Sequence, residues 1–231
     1  MRQRSLFLLL LFGVIFSGFS QEIVTAERYL ESVSERYGSI RDYEAQVVIR
    51  SDTTDMTGNL SFRDPNFLRI DFTSPAEQVL VFNGEVLTVY IPRLRALLNQ
   101  AVTPMRRAST PGGGASLASA QGLQLLRRGY VPAFVSGPEP VPLDERNQIP
   151  VVKLRLTRRL ASEGFREIIL SIDPQTSLIR RIEGRTVVNN AMVRFDFANI
   201  RTNVGIPELR FIFDSPGSAN MYNNFLFRES N

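Results

Sequence analysis

The sequence predicts an α+β domain built on one large, curled antiparallel sheet with two helices packed against it. Short runs of alternating apolar and polar residues recur along the chain and are separated by turn sequences, the pattern of β-hairpins. Only residues 22–37 and 115–128 have apolar residues at the spacing that is typical of a helix. Residues 79–82 are apolar on both faces, which indicates a sheet covered on both sides. Two short helices cannot cover both faces, so we expect the sheet to curl onto itself.

The N-terminus has the pattern of a secretory signal peptide. Arg2 and Arg4 precede an apolar core at residues 6–16, and small residues stand before Gln21. The core is too short to span a membrane comfortably, although an uncleaved anchor is the alternative. We therefore expect residues 1–20 to be removed and residues 21–231 to form a single exported domain. Because the sequence contains no Cys, the protein is not expected to be a lipoprotein itself.

The first predicted helix, residues 22–37, has one apolar face and ends before Gly38. Such a face packs against a sheet in most domains, and on a curled sheet it can also cover a ligand. The apolar positions at steps of three and four are Ile23, Ala26, Leu30, Val33 and Tyr37.

The predicted strands are short and follow one another with hairpin-like connections. Asn83-Gly84 between two apolar runs is the strongest hairpin signal. The connections predict a sheet that is antiparallel throughout. The strands are expected at residues 43–50, 56–62, 67–73, 77–82, 86–91, 130–135, 151–157, 165–172, 178–188, 191–200 and 207–213.

Residues 103–129 are the candidate cover of the sheet. The Gly-rich run at 110–114 precedes the second predicted helix, residues 115–128, which carries Leu117 and Leu125. This arrangement suits a hinged lid and equally an ordinary flexible crossover.

The composition predicts a binding protein and argues against an enzyme. With no His and no Cys, the chain cannot form a Ser-His-Asp triad, a His-based metal site or a cysteine zinc site. Lys153 is the only lysine and lies on the polar face of a predicted strand. We therefore expect no catalytic residues, no cofactor and no metal, with a distributed pair of carboxylates as the alternative. The pairs of adjacent arginines are interpreted as solvated strand ends and loops. Binding to anionic lipid headgroups is the alternative.

Two blocks of the sequence resemble the periplasmic outer-membrane lipoprotein carrier family, called LolA. The first block, residues 62–92, contains Arg69-Ile70-Asp71-Phe72, Asn83-Gly84 and a Tyr-x-Pro step at its end. The second, residues 195–217, contains Phe195-Asp196-Phe197 and Gly205-Ile206-Pro207. The chain departs from carrier sequences in having no Trp.

The resemblance implies an incomplete, unclosed antiparallel β-barrel whose helical lid encloses a hydrophobic cavity. It implies a periplasmic carrier that binds the acyl chains of lipoproteins and shuttles them from the inner to the outer membrane. The expected partners are acylated lipoproteins, an ABC-type loading complex in the inner membrane and an outer-membrane receptor. Neither nucleic acid nor stable membrane insertion is expected. The alternative is a carrier of another lipid or glycolipid, or an envelope sensor that binds a partner protein.

The resemblance also suggests a switch residue. It places Arg69 inside the barrel, hydrogen-bonded to the lid, although the strand alternation partly opposes that position; a surface pair with Asp71 or with a neighbouring strand is the alternative. The candidate residues for the lipid site and lid are Arg69, Phe62, Leu68, Ile70, Phe72, Val79, Val81, Tyr90, Leu117, Leu125, Phe195 and Phe197.

Overall fold

The computed structural model describes residues 24–102, 117–159, 161 and 163–225. Helix α1 is Ala26–Gly38 and helix α2 is Ala120–Gly129. Short 3-10 helices lie at Pro92–Leu94 and Glu208–Phe211. The strands are β1 Asp42–Ser51, β2 Asp55–Arg63, β3 Phe67–Ser74, β4 Val79–Asn83, β5 Val86–Ile91, β6 Ala96–Ala101, β7 Tyr130–Phe134, β8 Val141–Pro142, β9 Pro150–Arg158, β10 Phe165–Ile172, β11 Ile179–Thr186, β12 Met192–Thr202 and β13 Asn220–Asn223.

Both helices are capped by local side-chain hydrogen bonds. The Thr25 hydroxyl accepts from the Arg28 amide at 3.2 Å, and the Ser119 hydroxyl accepts from the Gly122 amide at 3.0 Å. The predicted apolar face of α1 is buried from Ala26 to Tyr37. Its first position, Ile23, lies outside the described residues, as do the predicted hinge at 110–114 and the predicted signal peptide.

The strands form one sheet in the order β13-β6-β5-β4-β3-β2-β1-β12-β11-β10-β9-β7, with β8 paired to β9. Because β13 and β7 end this order without pairing to each other, the barrel is incomplete, and the predicted α+β fold class is confirmed. One detail of the prediction is wrong, because β13 pairs with β6 in parallel. The C-terminal segment crosses the sheet before it reaches β6 and then runs beside that strand in the same direction.

The predicted hairpin at Asn83-Gly84 is confirmed. Gly84 has a φ of +94°, which glycine adopts without the steric cost of a side chain. The Asn83 side-chain oxygen accepts hydrogen bonds from the Glu85 and Val86 amides at 3.1 and 2.9 Å. The turn therefore fixes the register between β4 and β5.

The predicted strand at residues 207–213 is wrong. Pro207 precedes the 3-10 helix Glu208–Phe211, and the segment lies across the sheet instead of joining its edge. Phe211 and Ile206 are buried there against Val81. Their apolar character, which resembles a strand pattern, reflects this packing.

The two faces of the sheet have different roles. The inner face packs against α1 and α2 in one continuous apolar core, in which Leu30, Leu123 and Ile70 are fully buried. The outer face is mostly polar and carries a small second apolar cluster beneath the segment that contains Phe211. Among the described residues, no helix combines the length and apolarity needed to cross a membrane.

Candidate functional site: the inner face and its cover

Two rows of paired apolar residues cross the inner face. The first row joins six neighbouring strands from β1 to β6, and the second joins six from β1 to β7 on the other side. The members of the first are Ala45, Leu60, Ile70, Leu80, Val89 and Leu98. The members of the second are Ile49, Phe195, Ile182, Leu170, Leu154 and Phe134. The inner face is therefore a continuous apolar surface.

The helices bury only part of this surface. Leu60 and Ile70 are 1% and 0% exposed, as core residues are. Several other inner-face residues are only half-buried, and one group of them lies on β4–β6 and at the ends of β1, β2 and β12 nearest the β1–β2 turn. They are Ile49, Met56, Phe82, Val89, Leu98 and Val193. This half-buried strip is the part of the inner face that an apolar ligand can reach.

Neutral hydrogen bonds and one ion pair attach the cover to the sheet and join its helices. The Tyr43 hydroxyl on β1 donates to the Ala118 carbonyl, just before α2, at 2.8 Å. The Tyr37 hydroxyl on α1 accepts from the Ile179 amide at 3.0 Å. Arg127 on α2 pairs with Glu31 on α1 at 2.6 Å. Burial raises the pKa of Tyr43 well above its ordinary value, so the phenol stays a neutral donor.

Arg69 does not occupy the expected position inside the barrel. Its side chain lies on the outer face, where the guanidinium bonds both carboxylate oxygens of Asp71 and the backbone carbonyls of Arg210 and Ile212 at 3.1 and 3.2 Å. The Arg210 guanidinium forms a second ion pair with Asp71. The reason is strand alternation: Leu68 and its neighbours at even positions take the inner face, as their burial shows.

The structure divides the other candidate residues between the two faces. Buried residues of the inner face are Phe62, Leu68, Ile70, Phe72, Phe195 and Phe197. Val79, Val81 and Tyr90 instead lie on the outer face. Val79 and Val81 belong to the cluster around Phe211, and the ring of Tyr90 is tilted against that of Phe213, with their centroids 5.5 Å apart. Of the two cover residues, Leu117 is buried in the core and Leu125 is 44% exposed.

Sequence reasoning missed the residues that now define the site. The sequence predicts Tyr43 only as the first residue of a strand, and nothing in the alternation indicates a bond to a segment 75 residues away. Met56 and Val193 are ordinary alternating positions near strand ends. How deeply these two side chains are buried depends on where the helices end. The local spacing of apolar residues does not encode that position.

The outer face carries a separate arginine and carboxylate cluster. Arg181, only 6% exposed, pairs with Asp196 on β12 and with Asp144 of the 143–149 loop at 2.8 Å. The hydrogen bond from Arg181 is the main cause that lowers the pKa of Asp144. Arg50 and Arg194 also contact Asp196, at 3.3 and 3.1 Å. Within the described ranges, no group of carboxylates is arranged to hold a metal ion.

Comparison with known proteins agrees with this architecture. The sequence profile of the family described as outer membrane lipoprotein carrier protein LolA matches residues 45–109. These residues include β2 to β6 and most of β1, which carry the first apolar row. No curated protein sequence matches the chain significantly.

Several solved structures share the fold. An uncharacterized conserved protein from Thermus thermophilus is 12% identical, with a TM-score of 0.54 over 86% of this chain and 98% of that one. MucB is 15% identical, with a TM-score of 0.52 over 82% of this chain, which spans 63% of the MucB chain. The Mycobacterium tuberculosis lipoprotein LppX is 9% identical, with a TM-score of 0.50 over 79% of this chain and 97% of that one.

The profile match and the unclosed sheet with its two helices agree with the resemblance seen in residues 62–92. The chain is therefore similar to the LolA family over residues 45–109.

Proposed function

We propose that the protein is a periplasmic carrier that holds the acyl chains of lipoproteins against its inner face and shuttles them from the inner to the outer membrane. The observation that carries the proposal is the half-buried apolar strip on the inner face, which contains Ile49, Met56 and Val89. The profile of the lipoprotein carrier family, which matches residues 45–109, supports it.

Binding of this kind needs shape and apolar surface, with no reacting group. Each acyl methylene removed from water is worth about 0.8 kcal/mol, so a chain of about 15 methylenes represents roughly 12 kcal/mol. An apolar surface beneath a movable cover can offset that cost while the cargo crosses an aqueous space. Extraction from a bilayer needs an energy source, so we place an ABC-type complex upstream and an outer-membrane receptor downstream.

A release assay tests the proposal. Spheroplasts that hold a labelled acylated lipoprotein and a competent loading complex are incubated with the purified protein, and the soluble fraction is analysed for a complex. Cargo that lacks its acyl chains is the control. We expect a soluble complex with acylated cargo only. No complex would contradict lipoprotein transport, and extraction of any lipid that copurifies with the protein would then test the alternative, a carrier of another amphiphile.

Two neighbouring residues on β2 provide a matched pair of variants. Met56 lies on the half-buried inner strip, whereas Thr57 is exposed on the outer face. A Glu at position 56 would place a charge against the acyl chains, so Met56→Glu should reduce soluble complex at least tenfold, because an unpaired buried charge costs several kcal/mol. Thr57→Glu should bind cargo like the unaltered protein. Equal loss in both variants would contradict binding on the inner face.

A further inference from the structure

One end of the sheet, which we call the rim, collects five of its turns. The antiparallel register places the turns β1–β2, β3–β4, β5–β6, β9–β10 and β11–β12 at this end. The half-buried inner residues Ile49, Met56 and Val193 lie one or two residues from these turns. The rim is therefore one end of the apolar strip of the inner face.

Two turns of the rim expose large apolar side chains. Leu94 at the β5–β6 turn is 64% exposed, and Val188 at the β11–β12 turn is 97% exposed. Neither side chain gains stability from packing, and both stand at the tips of hairpins. Exposed apolar tips of this kind are found where a protein contacts an apolar partner or a membrane interface.

The rim is also basic. The residues in and beside its turns include seven arginines and four carboxylates, whereas the turns at the opposite end include five arginines and seven carboxylates. The rim arginines are Arg50, Arg93, Arg95, Arg158, Arg159, Arg166 and Arg185, and the carboxylates are Asp52, Asp55, Glu77 and Glu163. The arginines of the opposite end are Arg41, Arg63, Arg146, Arg180 and Arg201, and its carboxylates are Asp42, Asp64, Glu85, Glu139, Asp144, Glu145 and Asp173.

The charge at the apolar tips is not neutralised within the described part of the chain. Arg93 and Arg95 flank Leu94 and are exposed, and Arg185 lies beside the turn that carries Val188. None of these three forms an ion pair with a described carboxylate. Arg95 has a φ of 48°, a conformation that Gly or Asn adopts at less steric cost. Its presence there puts a second guanidinium beside Leu94.

We propose that the rim docks on an anionic lipid surface, with the arginines on the headgroups and Leu94 and Val188 in the interface. Exposed apolar side chains surrounded by unpaired arginines match the chemistry of that surface. The inference goes beyond the proposed function, because the rim can dock on a membrane regardless of what the inner face carries. Docking would direct this end of the apolar strip toward the bilayer.

The absence of Trp from the chain allows a direct test of insertion. Leu94→Trp and Val188→Trp each introduce a single tryptophan, and Leu209→Trp is the control, because Leu209 is 74% exposed on the outer face away from the rim. With vesicles of phosphatidylcholine and phosphatidylglycerol, we expect a blue shift in emission for the two rim positions only. A blue shift at Leu209→Trp alone, or at none of the three, would overturn the proposal.

Sedimentation with the same vesicles tests the arginines. Each basic residue near an anionic surface contributes about five-fold in affinity, so Arg93→Ala with Arg95→Ala should weaken binding roughly 25-fold. The matched control is Arg41→Ala with Arg146→Ala, two exposed arginines of the opposite end. Binding should also fall with added salt and be weak on vesicles of phosphatidylcholine alone. Equal loss in the control pair, or binding that ignores lipid charge, would overturn the proposal.

Discussion

At the scale of single residues, Tyr43 and Arg69 fix two different segments to the two faces of the sheet. Tyr43 bonds the start of the α2 cover from the inner face, and Arg69 bonds the carbonyls of the 207–213 segment from the outer face. The role expected for Arg69, a contact with the lid, is thus performed by a tyrosine on a different strand.

This assignment predicts opposite effects of two substitutions. Each leaves a buried or partly buried carbonyl without its donor, so we expect each to destabilise the protein by about 1–3 kcal/mol. Tyr43→Phe should speed amide hydrogen exchange in α2 and leave residues 207–213 unchanged, whereas Arg69→Leu should do the reverse. The control, Tyr222→Phe, changes a side chain that belongs to an edge strand and is 53% exposed. Faster exchange in α2 after Arg69→Leu would restore the original hypothesis for that arginine.

At the scale of elements, the 143–149 loop is attached to the outer face by charge. Asp144 accepts from Arg181, and the Leu143 carbonyl accepts from Lys153 at 2.9 Å. Because the hydrogen bond from Arg181 lowers the pKa of Asp144 in the folded state, the carboxylate stabilises the fold at a pH above its ordinary pKa. That contribution is lost as the pH falls through the lowered value.

The resulting prediction concerns acid stability. Between about pH 5 and pH 2.5, where carboxylates ordinarily titrate, the free energy of unfolding should fall less steeply for Asp144→Asn than for the unaltered protein. Urea unfolding followed by circular dichroism at several pH values measures the slope. Glu145→Gln is the control, because Glu145 is the exposed neighbour and has no side-chain partner among the described residues. Identical slopes for all three proteins would mean that Asp144 does not hold the loop.

The elements also show what the sequence could predict. Strands with a single apolar face, such as β1 and β10, and the hairpin at Asn83-Gly84 follow from period and turn chemistry alone. The β4 strand is apolar on both faces, so its residues Val79 and Val81 were assigned to the lipid site although they pack beneath residues 207–213. Strand β6, rich in Ala and Leu, gives no β-branched signal and was missed. The face of the sheet that a side chain occupies and the pairing of distant strands both depend on tertiary packing. A single sequence does not show that packing.

At the scale of the whole molecule, the inner face and the rim are separate surfaces. The inner face is lined by strand interiors and covered by helices, whereas the rim consists of turns with exposed arginines and the tips Leu94 and Val188. A substitution in a turn therefore leaves the packing of the apolar rows intact, and a substitution on the inner strip leaves every rim arginine in place. The two proposals can fail independently.

This separation predicts a double dissociation. Met56→Glu should lose a fluorescent fatty acid supplied in solution but still sediment with anionic vesicles, because its rim keeps every arginine. The variant that combines Arg93→Ala with Arg95→Ala should retain the fatty acid with unchanged affinity and lose vesicle binding roughly 25-fold. Each variant is the folding control of the other, since each keeps one activity. If both variants lost both activities while keeping the circular dichroism spectrum of the unaltered protein, acyl binding and membrane docking would share one surface, and the rim end of the apolar strip would itself be the membrane contact.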